Sequence, residues 1–108
     1  MALQLRRYEF TGDNLERWLP KWHSEVVPFR EKWGYRIVFG YVDRERNEFV
    51  WMVEYPGTPE EFEAHDTEYL ESQDWADTLE RYVPLIERWT TGIVEQEWPL
   101  ADATGGLR

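Results

Sequence analysis

The sequence has no cysteine among its 108 residues. That excludes disulfides, Cys-based zinc sites, iron–sulfur clusters and thiol nucleophiles. It has no apolar stretch near the roughly 18 residues that a membrane-spanning helix requires. No basic segment followed by an apolar one is visible, so no secretory signal is read and a cytoplasmic address is expected. Bases are scarce, with 12 Lys and Arg against 22 Asp and Glu, a net charge of −10. A phosphate backbone would be repelled, which argues against nucleic-acid binding. Histidines number only two. No phosphate-cradling loop and no G-x-S-x-G, HExxH or Walker pattern occurs.

What is present is a foldable globular composition, 42% apolar and 31% charged. Aromatics are abundant, at 17% with seven Trp. Large rings bury much area each, which helps a small domain build a core. They also line ligand pockets and oligomer interfaces. No solenoid repeat and no linker composition interrupts the chain. One domain is read over residues 3–98, followed by a small, Gly-rich tail over 99–108.

The acids are unevenly spread. Glu54 to Glu80 holds ten of them and no Lys or Arg. Glu60, Glu61, Glu63 and Glu68 fall around much of a helix, so they read as a solvated face and do not converge on a metal.

Leu3 to Phe10 alternates as a strand, with Leu3, Leu5 and Arg7 on one face and Gln4, Arg6, Tyr8 and Phe10 on the other. Asp13 is an expected helix N-cap, with Glu16 completing a capping-box pattern. A helix follows over about Asn14 to Lys32, with Leu15, Trp18, Leu19, Trp22, Val26, Phe29 and Trp33 on its apolar face. Pro20 should bend it and Pro28 should kink or interrupt it. Gly34 is the expected residue past its end. Tyr35 to Asp43 and Glu48 to Tyr55 form a hairpin around a polar loop.

Thr58, Pro59 and Glu61 then announce a second helix. It carries Phe62, His65, Asp66 and Tyr69 on one side and pauses near residues 71–74. Trp75, Leu79, Tyr82 and Ile86 make a second stripe, disturbed by Pro84. Trp89 to Trp98 reads as the last strand. The order β-α-β-β-α-β is that of a ferredoxin-like α+β fold, a four-stranded antiparallel sheet with both helices on one face.

Both faces of the hairpin are apolar. Tyr35, Ile37, Phe39 and Tyr41 are expected to point one way, and Val38, Gly40 and Val42 the other. Val50 and Met52 oppose Phe49, Trp51, Val53 and Tyr55. Sheets that face water on one side usually alternate apolar with polar. A second copy of the chain is the economical cover, so a homodimer is expected.

The opening Leu5-Arg6-Arg7-Tyr8 resembles the LRxY start of the NIPSNAP family, within the dimeric α+β barrel superfamily. Trp22 to Gly34 is similar to that family's helix ending in a VxPxxEKxG-type pattern. Phe49 to Tyr55 with Pro59 to Phe62 resembles its vwlxxY…xxxF segment. The resemblance covers roughly residues 3–98. It implies a homodimer whose sheets pack face to face, with a pocket in each subunit between sheet and helices. It does not deliver a reaction, because fold is not function. Haem-degrading relatives carry an Asn on the first strand. Trp51 and His65 resemble their other two markers, but the first strand here offers Arg6, Arg7 and Tyr8, which disfavours haem.

His65 is the first candidate for chemistry. An imidazole among aromatic rings can act as a general base or bind a metal; otherwise it is a helix-flank histidine bonded to Asp66 or water. His23 is a boundary position. Two lone histidines on different helices are a weak metal signal, and neither a metal nor a cofactor is expected. Arg6 and Tyr8 share a strand face and can hold a carboxylate or enolate oxygen. The alternative is that Arg6 pairs with Glu95 or Glu97, or stacks on a ring. Arg7 faces the other way, toward a dimer partner. Tyr41, Trp51, Tyr69 and Trp22 are candidate ligand-binding rings, although the Trp18, Trp22 and Trp33 stripe also reads as core.

The leading expectation is a small dimeric protein that binds a largely apolar or aromatic ligand, with no reaction assigned. The alternative is a cofactor-independent monooxygenase or cyclase-like isomerase acting on an aromatic or polyketide-like substrate, with His65 as base and Arg6 and Tyr8 steadying an oxyanion. A structural interaction module is a third reading.

Overall fold

The computed structural model describes residues 1–98. The tail expected over 99–108 lies outside the described residues. Strand β1 spans Ala2–Glu9, β2 Arg36–Asp43, β3 Glu48–Tyr55 and β4 Arg88–Val94. They form one antiparallel sheet in the order β2-β3-β1-β4. The fold is α+β, as the pattern of elements predicts. Strand β4 ends at Val94, opposite Leu3, so its expected continuation to Trp98 is not strand.

The first helical stretch is one rod in three parts: α1 over Asn14–Lys21, a π-helical turn over Trp22–Val26, and α2 over Val27–Lys32. Its N-terminus lacks the expected cap: the Asp13 side chain makes no capping bond, and Glu16 pairs with Arg44 instead. Pro20 and Pro28 bracket the π-turn. Neither has an N–H to donate, so the regular hydrogen-bond ladder is already broken there. The Ser24 hydroxyl takes up the Pro20 carbonyl at 2.8 Å.

The π-turn also has a rotational effect. On a straight helix Arg30 would lie about 80° from Trp22. A wider turn lags that regular advance and swings the following segment back. The buried side chains of the rod are Leu15, Trp18, Trp22, Val26 and Arg30. Phe29 and Trp33, expected on the apolar face, are only half-buried.

The second helical layer begins with α3, Pro59–Glu71. Its capping box forms as expected: the Glu61 amide donates to Thr58 Oγ1 at 3.1 Å, and the Thr58 amide donates to Glu61 Oε1 at 2.8 Å. Ser72 breaks the helix and caps the short α4, Gln73–Thr78, by accepting from the Trp75 amide. A 3₁₀ turn over Glu80–Leu85 contains Pro84.

Strand β2 corrects one expectation. A bulge between Ile37 and Phe39 shifts its register against β3. An extra residue in one strand flips every later side chain to the other face. Ile37 lies opposite Val53 on the helix side, and Gly40 and Val42 join it there opposite Trp51 and Phe49. Phe39 and Tyr41 point away, stacked at 5.0 Å. Gly40 is needed where it stands: a Cβ there would come within 2.8 Å of the Trp22 ring.

The helix side of the sheet is the core, with Tyr8, Phe49, Trp51 and Val53 against Trp18, Trp22, Phe62 and Tyr69. Among the described residues no helix covers the other side. There Leu5, Met52 and Phe39 form a row across three strands. The ion pairs Arg7–Glu48 and Arg36–Glu54 flank that row at 3.0 and 2.6 Å. Among the described residues no helix is long and apolar enough to cross a membrane.

Candidate functional site

A cavity of about 170 Å³ lies between the sheet and the helices. The sheet contributes Arg6, Tyr8, Trp51 and Trp89 to its wall. The long rod and α3 contribute Trp18, Arg30 and Tyr69. Trp75, Leu79 and Val83 close it from the chain that follows α3. Leu70 and Trp89 are the exposed members of the lining, so the cavity opens to solvent beside them. Alternation along β1 and β3 explains why Arg6, Tyr8 and Trp51 share this face: Arg6 lies directly opposite Trp51, and Tyr8 opposite Phe49.

Arg6 is half-buried. Its Nε donates to the Tyr8 hydroxyl at 2.9 Å and one terminal nitrogen donates to Gln4 Oε1 at 2.6 Å. Both partners are neutral. The guanidinium lies 5.4 Å from the Trp51 ring centre and 5.6 Å from that of Tyr8. Of the alternatives for Arg6, it therefore stacks on rings. Among the described residues no carboxylate pairs with it, and that includes Glu95 and Glu97.

Arg30 is the residue that sequence reasoning passed over. It is 2% exposed, and its guanidinium lies 4.3 Å from the Tyr69 ring centre and 4.6 Å from that of Tyr35. One nitrogen donates to Asp66 Oδ1 at 2.9 Å, and the Tyr35 hydroxyl donates to the same oxygen at 2.9 Å. Asp66 therefore leaves the solvated acidic face and turns inward. Its spacing gave the available signal: Phe62, Asp66 and Tyr69 fall at i, i+4 and i+7, and an acid in an apolar stripe needs a buried cation. Burial by itself works against the Arg30 charge, but its aromatic and acidic neighbours outweigh that and hold its pKa above the usual value.

Burial, reinforced by Asp66, raises the Tyr35 phenol well above its usual range. Burial also pushes Tyr69 up to about 12. In the unfolded chain both phenols lose their protons near pH ~10. Stability from these groups is therefore full below about pH 10 and is lost as pH rises through about 12. A spectrophotometric phenol titration should leave Tyr35 and Tyr69 protonated until the chain unfolds, with one late phenol missing from Tyr35→Phe and from Tyr69→Phe. Ionisation of all six tyrosines near pH 10 with the fold intact would remove this assignment.

The other candidates lie elsewhere. His65 is half-buried between α3 and the end of α2, where its Nε2 lies 2.6 Å from the Trp33 carbonyl. A carbonyl only accepts, so this nitrogen carries the proton. The ring stacks on Tyr55 at 4.6 Å. It is not part of the cavity wall that holds Arg6 and Tyr8. Trp22 packs edge-on to Trp51 at 5.8 Å, behind the wall. Tyr41 sits on the opposite face of the sheet from Trp51, because the bulge at Val38 reverses the strand. His23 is exposed beside Trp22. Trp51 and Tyr69 do line the cavity. Among the described residues no group of three His, Asp or Glu side chains could hold a metal.

No protein-family model and no curated protein sequence matches this chain. Solved structures do. An uncharacterized NIPSNAP domain protein from Burkholderia xenovorans superposes with a TM-score of 0.77 at 16% identity, over 94% of this chain and 100% of its own. A NIPSNAP family protein from Agrobacterium tumefaciens gives 0.75 at 17% identity, over 99% and 98%. An antibiotic biosynthesis monooxygenase gives 0.63 at 13% identity, over 89% and 98%. The four-stranded antiparallel sheet with its helices is thus the fold of the NIPSNAP proteins, shared at greater distance with the antibiotic biosynthesis monooxygenases.

Proposed function

We propose that this chain is a NIPSNAP-type binding protein that holds a small, flat, largely apolar ligand in the cavity between sheet and helices. The observation that carries this is the cavity itself, ringed by Tyr8, Trp18, Trp51 and Tyr69, where Tyr8 meets Trp18 and Trp51 edge-on. Its volume of about 170 Å³ is close to the roughly 150 Å³ that accommodates one benzene-sized ring. A single ring fits that space. His65, the base of the enzymatic alternative, sits away from this wall. The uncovered sheet face is, in the same proposal, the seat of a second copy.

Calorimetric titration with benzyl alcohol, a neutral one-ring probe, tests the reading. Saturable one-to-one binding is expected, lost in Val83→Trp, which places an indole in the cavity from its less buried side. Heat that does not saturate, or that Val83→Trp leaves unchanged, would remove the cavity as a binding site.

A further inference from the structure

We infer that the natural ligand is a one-ring aromatic monocarboxylate, oriented with its carboxylate on Arg6. This rests on the reading that the cavity is a ligand site and adds its chemical class.

The first support is charge. The chain has 22 acids, yet among the described residues no Asp or Glu lines the cavity, while two arginines do. Their charges are not equivalent. Asp66 balances Arg30 at 2.9 Å. Arg6 has only the neutral oxygens of Gln4 and Tyr8. One positive charge therefore remains uncompensated at a half-buried place, where an unpaired charge is costly. A single negative charge matches it, and a second one finds no partner.

The second support is hydrogen bonding. Among the described residues five side-chain polar atoms are buried without a partner: Trp22 Nε1, which lies behind the cavity wall, and Trp18 Nε1, Trp51 Nε1, Arg30 Nε and the Tyr69 hydroxyl, whose side chains belong to that wall. Each can donate, and buried donors rarely stay unpaired in native proteins. A carboxylate is acceptor-only. The second terminal nitrogen of Arg6 also has no hydrogen-bond partner among the described residues. A guanidinium nitrogen left free, with no acid beside it among the described residues, selects for an anionic oxygen ligand, and charge-assisted bonds are the stronger kind.

The third support is placement. The guanidiniums of Arg6 and Arg30 lie 5.4 and 5.7 Å from the same indole, that of Trp51. Both guanidiniums of the wall therefore lie near one ring, and the rest of the wall is Val26, Leu70, Leu79, Val83, Ile86 and rings. A carboxylate beside Arg6 leaves its ring to that apolar remainder.

Calorimetric titration of the full chain with benzoate, benzamide and phthalate reads the difference. Benzamide has the shape of benzoate without the charge. Benzoate is expected to bind about tenfold or more tighter than benzamide. Phthalate should bind no tighter than benzoate. Arg6→Gln should bring benzoate down to the level of benzamide, with a smaller loss for benzamide, whose carbonyl oxygen is a neutral acceptor. The wild-type comparison stands even if that variant folds poorly. Equal affinity for benzoate and benzamide would overturn the charge assignment and leave the cavity reading intact. Binding of none of the three would overturn both.

Discussion

Replacing Asp66 with alanine should destabilise the domain by about 3–5 kcal/mol, the scale for stripping one partner from a buried ion pair. Arg30 is 2% exposed, so water cannot replace the lost carboxylate. The Tyr35 hydroxyl loses its acceptor in the same step. For a domain of this size the melting temperature should fall by about 12 °C or more. The double variant Arg30→Met with Asp66→Leu should recover much of the loss, because apolar replacement of a buried pair is often neutral or stabilising. Thermal melting of the wild type and the two variants decides it. A single-variant loss below about 1 kcal/mol would mean that Arg30 is solvated and the pair is not a buried one.

The second large effect is expected on mass. The uncovered sheet face has Met52 at its centre, opposite Leu5 on one side and Phe39 on the other. A broad exposed apolar patch is unusual on a monomer. If a second copy covers it, sedimentation at micromolar concentration should give about twice 13.1 kDa. Met52→Lys places a charge in the middle of that contact. It should return the mass to 13.1 kDa while the thermal transition persists. A wild-type chain that sediments as a well-behaved monomer would overturn the dimer.

The two helical layers differ in how far local signals reach. Around α3 they suffice: Thr58, Pro59 and Glu61 make a capping box and Ser72 a stop, all within a few residues of one another. Along the first rod they do not. Pro20 and Pro28 announce an irregularity, but either a bend or a widened turn relieves a missing N–H. Packing of Trp22 and Val26 against the sheet favours the wider turn, and that choice rotates Arg30 inward. The bulge in β2 is of the same kind. Nothing local in Ile37-Val38-Phe39 marks it, since all three are good strand residues. It forms where Val53, Trp51 and Phe49 must all face the helices while Gly40 leaves room for the Trp22 ring.

The candidate site divides along the same line. Period-2 alternation puts Arg6 and Tyr8 on one face of β1, because strand geometry is local; pairing with β3 is what adds Trp51 to that face. Alternation also puts Tyr41 on the face of Ile37, and it is not there, because the bulge resets the count. His65 and Tyr69 sit one turn apart on one helix, yet they meet different surroundings. His65 closes on the Trp33 carbonyl and Tyr69 on the cavity. Which of two neighbours on a helical stripe reaches a pocket depends on the angle at which that helix crosses the sheet, and no residue spacing encodes it.

By itself, then, the sequence determined what short-range physics determines: the order of elements, the α+β architecture, the inward face of the first strand and the caps of the second helix. The tertiary structure alone decided that Arg30 is buried on Asp66, that Arg6 has no acid partner, and that both guanidiniums meet at Trp51. Those are long-range pairings between segments up to dozens of residues apart. They follow from how a sheet and two helical layers close on each other, and closure is a property of the assembled core rather than of any segment within it.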